Sequence, residues 1–184
     1  MKKFRDSSPT DEIIRETREM LNKVNAELNK CKSFVEADQK SEELRRISVR
    51  TLFSGIEVLC YRLKISALVI ASDNGIKLKN EEIAMINEES YYLEDNGVAK
   101  TKKVYPKFTS NLRFVFRIFA RVIESDFMLD VKGEDWKKFK KAVEVRNSIT
   151  HPKSLQDMII SEDDFKIVTD SYDWFAINLN KLFS

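Results

Sequence analysis

Glycine and proline are scarce, at 4 and 3 of 184 residues. So few chain breakers leave little room for a turn-rich β sandwich and predict long helices. Cysteine is nearly absent. Cys31 and Cys60 form no CxxC pair and fall inside helical patterns, which predicts buried free thiols in a reducing compartment. His151 is the only histidine. With two scattered cysteines and no carboxylates clustered at ligand spacing, no metal site and no metal cofactor are expected. Neither a phosphate-cradling Gly-rich loop nor a G-x-S-x-G elbow occurs, which argues against ATP use and serine-type hydrolysis. A surplus of one charge is missing too: 32 basic and 30 acidic residues leave a net +2. Nucleic acid would therefore have to be met by local patches rather than a bulk field. No apolar run is long enough to span a membrane, and Met1 to Pro9 is polar and charged, so no signal peptide and a cytoplasmic location are expected.

What is present is a 42% hydrophobic, 34% charged chain, a mix suited to packed amphipathic helices and of a length that fits one domain over residues 1–184. The first nine residues are expected to be a flexible lead-in. Ser8-Pro9-Thr10-Asp11 reads as a helix start, with Ser8 as cap and Pro9 in the first helical position. Behind it Ile14, Thr17, Leu21, Val24, Leu28, Cys31 and Val35 form one apolar stripe. A second helix opens at Ser41-Glu42-Glu43, carries Leu44, Ile47, Leu52, Ile56, Leu59, Leu63 and Ala67, and stops near Asp73-Asn74-Gly75. A short helix is predicted within 79–90. Residues 91–105, centred on Asp95-Asn96-Gly97, are either a small β-hairpin or a loop insertion. Helices follow over 108–127, with Leu112, Val115, Phe116, Phe119, Val122 and Ile123 inward, over 134–151, and from the Ser161-Glu162-Asp163-Asp164 cap onward. The fold class is thus all-α, a compact helical bundle of five to six helices.

One constellation carries chemistry. At about 100° per residue, the stripe Trp136, Phe139, Val143 continues into Arg146, Asn147, Thr150 and His151. Lys137, Lys138 and Lys141 take the outer face. Pro152 disfavours helical geometry at His151, so the helix should end there and free the imidazole to turn into a cleft. Arginine can hold a phosphate in a bidentate grip, asparagine can orient the imidazole or the substrate, and histidine, which titrates near neutral pH, can move a proton to or from oxygen. The competing expectation is structural: Arg146 and Asn147 pairing with Glu57 or with backbone carbonyls, and His151 serving as a cap or as a buried hydrogen-bond partner. Residues 100–107 hold four lysines around Val104, Tyr105 and Pro106, either a solvated loop or a contact for an RNA backbone.

Val145-Arg146-Asn147-Ser148-Ile149-Thr150-His151-Pro152 resembles the R-x(4–6)-H motif of the HEPN superfamily, in its R-N-x-x-x-H form. With His151-Pro152-Lys153-Ser154, Ser161-Glu162-Asp163-Asp164 and Trp174-Phe175 downstream, the chain is similar to stand-alone bacterial HEPN proteins. The resemblance implies a metal-independent endoribonuclease acting as a homodimer on RNA. Arg146 and His151 fall on the motif positions and Asn147 on the polar position after the arginine; Lys153 and Ser148 are further candidates for phosphate contact. It also implies a toxin or phage-defence effector, with an antitoxin or regulatory protein as partner. Some HEPN toxins carry a Tyr two residues after the His as a nucleotidylation target; Lys153 stands there instead. Other HEPN domains are non-catalytic and bind nucleic acid, nucleotide or a partner protein. Chemistry gives the dimer separate support. Attack by a ribose 2′-OH needs one proton removed and another delivered, and one histidine per chain supplies one such group at a time.

Overall fold

The computed structural model describes residues 8–38 and 41–183. It is an all-α helical bundle with one small antiparallel hairpin. The order is α1 (Pro9–Ala37), α2 (Glu42–Asp73), α3 (Asn80–Ile86), β1 (Glu89–Leu93), β2 (Ala99–Lys103), α4 (Phe108–Val122), α5 (Glu134–Thr150) and α6 (Glu162–Leu182), with a single 3₁₀ turn at Gln156–Met158. Of the expected flexible lead-in, residues 1–7 lie outside the described residues, while Pro9 already begins α1. Contacts group into two compact units: residues 61–126 with the start of the chain through Thr17, and residues 18–60 with 127–184.

In the first unit, the opening turns of α1 meet the second half of α2 through polar contacts. Asp73 Oδ2 accepts from the Thr10 N–H (3.1 Å) and hydroxyl (2.5 Å), which satisfies one of the donors a helix start leaves open. Deeper in, the Thr17 and Ser66 hydroxyls share a buried hydrogen bond of 2.9 Å. The second half of α2 is buried on more than one side, at Leu63, Lys64, Ser66, Ala67, Ile70 and Ala71. It ends as its Asp-Asn-Gly signal predicts. Gly75 adopts φ +66°, and the Ile76 N–H reaches back to the Ala71 carbonyl (2.8 Å).

The segment left open between hairpin and loop is a hairpin, Tyr91 opposite Thr101 and Tyr92 opposite Lys100. Its turn is not the two-residue Asn-Gly form. Asn96 keeps a negative φ and Gly97 alone is left-handed, at +79°. The Gly97 N–H donates to the Glu94 carbonyl (2.8 Å) and the Glu94 N–H to that of Val98 (3.0 Å), a three-residue loop with glycine in the bulge position.

α4 is shorter than its pattern suggested and stops at Val122 rather than near Phe127. Glu124 takes φ +55°, and the Ser125 N–H bonds the Ala120 carbonyl (2.9 Å). This is the same wrapped ending that Gly75 makes, here with a glutamate in the left-handed position. Ile123, expected inward, is therefore only partly buried.

In the second unit the α1 stripe is buried at Leu21, Val24, Leu28 and Val35, while Cys31, expected as a buried thiol, is only partly buried. The α2 stripe needs one correction. Ile47 is 48% exposed, and Ser48 and Val49 take the inner position, because an unbroken three-four rhythm leading to Leu52 passes through them. The α6 stripe Val168, Tyr172, Phe175, Leu179 and Leu182 is buried, and Ser161 caps that helix by accepting from the Asp164 N–H at 3.0 Å. Tyr172 donates to Asn25 Oδ1, and Lys32 pairs with Asp173 at 2.6 Å, so α1 and α6 are locked by polar contacts flanking their apolar seam. Burial raises the Tyr172 phenol well above its ordinary value.

Candidate functional site

The motif lies on the last turn and a half of α5, and packing of that helix decides where it points. Phe139 is fully buried, with ring centroids 5.6 Å from Trp136, 5.2 Å from Trp174 of α6 and 6.4 Å from Phe53 of α2. Stacked and tilted aromatic pairs of this kind add about 0.5–1.5 kcal/mol each beyond area burial and fix rotation about the helix axis. Ala142, Val143, Val145 and Ile149 continue the buried side. That rotation leaves Arg146 partly buried and Asn147 and Thr150 exposed.

Arg146 stands in a groove of about 380 Å³ lined by Arg50, Phe53, Ser54, Glu57, Arg146, Ile149 and Thr150. Its Nη2 donates to Glu57 Oε1 at 2.5 Å and its Nη1 to Asn147 Oδ1 at 3.2 Å. The pairing of Arg146 with Glu57, an alternative of the sequence reading, is thus formed, with the glutamate side chain still 47% exposed. It occupies one edge of the guanidinium and leaves the group at an open mouth. Arg50 stands beside it and donates from Nη2 to the Ile149 carbonyl (3.0 Å), which satisfies a carbonyl that the end of α5 leaves open and places a cation at the negative helix end.

His151 is the first residue beyond the helix. Its backbone is non-helical (φ −130°, ψ 59°) and its N–H closes the final turn on the Asn147 carbonyl (3.0 Å). Its side chain is exposed, and among the described residues no hydrogen bond or ion pair fixes the imidazole. The groove lining reaches Thr150 and stops short of it. The structure therefore brings Arg146, Asn147 and Glu57 together and leaves His151 at the rim. Ser148 donates its hydroxyl to the Val145 carbonyl (2.8 Å), an internal helix contact. Lys153 is exposed, in a loop held by Asp157, whose Oδ2 accepts from the Lys153 (2.8 Å) and Ser154 (3.0 Å) N–H groups. Those two N–H groups, Lys153 first, hold the Asp157 carboxyl below its usual range.

Sequence reasoning missed the arginines of α2. Arg45 Nε donates to the Ile160 carbonyl (2.7 Å), Arg46 Nη1 to that of Met158 (3.3 Å), and Arg50 to that of Ile149. Together they hold both ends of the segment containing His151 and Lys153. The available signal was three arginines within the first three turns of a helix already marked as central. Among the described residues no three His, Cys, Asp or Glu side chains gather as metal ligands, and no helix is long and apolar enough to cross a membrane. The chain matches no family model, no curated protein and no solved structure.

Proposed function

We propose that this chain is a HEPN-type endoribonuclease that cleaves RNA by attack of a ribose 2′-OH, without a metal, as a homodimer. The observation that carries this reading is the Arg146 guanidinium, held by Glu57 and Asn147 at an open groove one turn before the chain's only histidine. In this mechanism Arg146 binds the phosphoryl oxygens and stabilises the charge that grows on them. His151 removes the proton of the 2′-OH or protonates the leaving 5′ oxygen, and the second chain's histidine supplies the other transfer. Glu57 is a positioning residue that orients the guanidinium. Lys153, exposed just past His151, flanks the phosphate path by charge, whereas Ser148 keeps its hydroxyl on the Val145 carbonyl and takes no part in it. A toxin or phage-defence role in the cytoplasm, held in check by an antitoxin or regulatory protein, belongs to the same proposal through the resemblance of the motif.

A second reading is favoured by one specific observation. Glu57 already neutralises Arg146, and nothing described orients the imidazole, as suits a non-catalytic domain that binds nucleic acid, nucleotide or a partner protein.

The test is cleavage of labelled RNA in excess EDTA. Products ending in a 2′,3′-cyclic phosphate and an uncut DNA of the same sequence are expected. Arg146→Ala and His151→Ala should each lose about 10²–10⁴-fold in rate with unchanged melting. A strict need for magnesium or manganese, or equal cutting of DNA, overturns the mechanism. So does a clean monomer by light scattering. Inactivity on varied RNAs would move the weight to the second reading.

A further inference from the structure

The charge of this chain is unevenly distributed. Residues 96 to 123 contain no Asp or Glu and seven Lys or Arg, leaving 25 basic against 30 acidic residues elsewhere. All seven are exposed, and the first unit holds them on the hairpin, on α4 and, for Lys107, on the link between them. Three are answered by acids from outside the stretch: Lys100 by Glu94, Lys103 by Glu89 and Arg121 by Glu82. Lys102, Lys107, Arg113 and Arg117 have no ion pair among the described residues. Arg113 and Arg117 stand one turn apart on the same face of α4. Three of the four lysines of α5 form the contrast within the same chain, since Lys137, Lys138 and Lys141 pair locally with Glu134, Asp135 and Glu144.

Aromatic rings are interleaved with this charge. Tyr105, joining β2 to α4, is 85% exposed. Tyr92 is exposed on the hairpin face that alternation assigns also to Lys100 and Lys102. An exposed ring costs apolar hydration and suits a partner with flat faces; unanswered cations suit a polyanion. Single-stranded nucleic acid has both, phosphates for the cations and bases that stack on tyrosine.

We infer that the hairpin and α4 form a binding surface for single-stranded nucleic acid, with Lys102, Lys107, Arg113 and Arg117 on phosphates and Tyr105 under a base. The surface shares no residue with the Arg146 groove, and the inference stands whether or not that groove cleaves.

The experiment is fluorescence anisotropy with a labelled 12-nucleotide RNA, the DNA of the same sequence and its duplex, over graded salt. It uses an Arg146→Ala/His151→Ala background so that no strand is cut. Both single strands should bind, RNA and DNA being separated by their relative affinity. The logarithm of the binding constant should fall with that of salt by about 0.7 per phosphate contacted. Reversing Lys102, Lys107, Arg113 and Arg117 to Glu should weaken binding at least about 100-fold and flatten that slope, while reversing Lys137 and Lys141 changes neither. Should the fourfold reversal lose its helical circular dichroism, the fourfold Gln variant replaces it. Tyr105→Ala should weaken binding about tenfold at an unchanged slope, with Tyr105→Phe restoring it. Parent-like binding after reversal, no binding by the background protein at low salt, or duplex bound as tightly as single strand overturns the inference. Binding without cleavage by the parent overturns only the nuclease.

Discussion

Two regions of this chain fill the interior differently. Around α5 the buried material is aromatic: Phe139 among Phe53, Trp136 and Trp174. In the unit containing the hairpin and α4 it includes charge. Lys64 is fully buried and donates to Glu88 Oε1 at 2.9 Å. Glu82, 7% exposed, takes both arms of Arg121 at 2.7 Å each. An aromatic cluster fixes a helix by shape and tolerates any pH. A buried ion pair fixes direction, but only while both partners remain charged and present.

The largest expected effect tests the aromatic side. Phe139→Ala removes the ring that meets Phe53 of α2 and Trp174 of α6 as well as Trp136 of its own helix, and should cost about 3–5 kcal/mol in denaturant unfolding. A loss under about 1 kcal/mol would mean that the cluster does not anchor α5.

Next comes the asymmetry of the Lys64–Glu88 pair. Glu88→Gln leaves a cation buried without its counter-charge and should cost about 2 kcal/mol, less than for a fully buried pair because Glu88 keeps solvent contact. Lys64→Met keeps the volume and removes the charge, at below about 1.5 kcal/mol. If the methionine variant is the less stable of the two, Lys64 is not held as a buried ion.

The smallest effect concerns pH. The two hydrogen bonds from Arg121 hold the Glu82 carboxyl below its ordinary value of 4.5. A lowered folded-state value means the contribution is fully present above 4.5 and is lost as pH falls through the folded value. Arg121 is 43% exposed, so solvent screens the pair and the contribution is about 1 kcal/mol. The stability difference between the parent and Glu82→Gln should be that large at pH 7 and shrink as pH falls below 4.5 through the lowered folded-state value. A difference independent of pH would show that shape, not charge, is what Glu82 supplies.

The sequence by itself determined the helices, because three-four periodicity and caps are local. Ser8, Ser41 and Ser161 each accept from a backbone N–H three residues on, as their positions before apolar stripes required. It also determined that α5 ends at His151, through Pro152. Where it failed locally, a non-glycine residue did a glycine's work: Glu124 ends α4 in a left-handed conformation that no propensity announces. Only the tertiary structure decided which partner each polar group finds. Glu57 reaches Arg146 across 89 positions, Arg45 reaches Ile160 across 115, and Glu82 reaches Arg121 across 39. Pairing over such separations depends on which helix faces meet, and packing of bulky side chains such as Phe139 sets those faces. The periodicity of one helix records that it has an inside, but not what waits there.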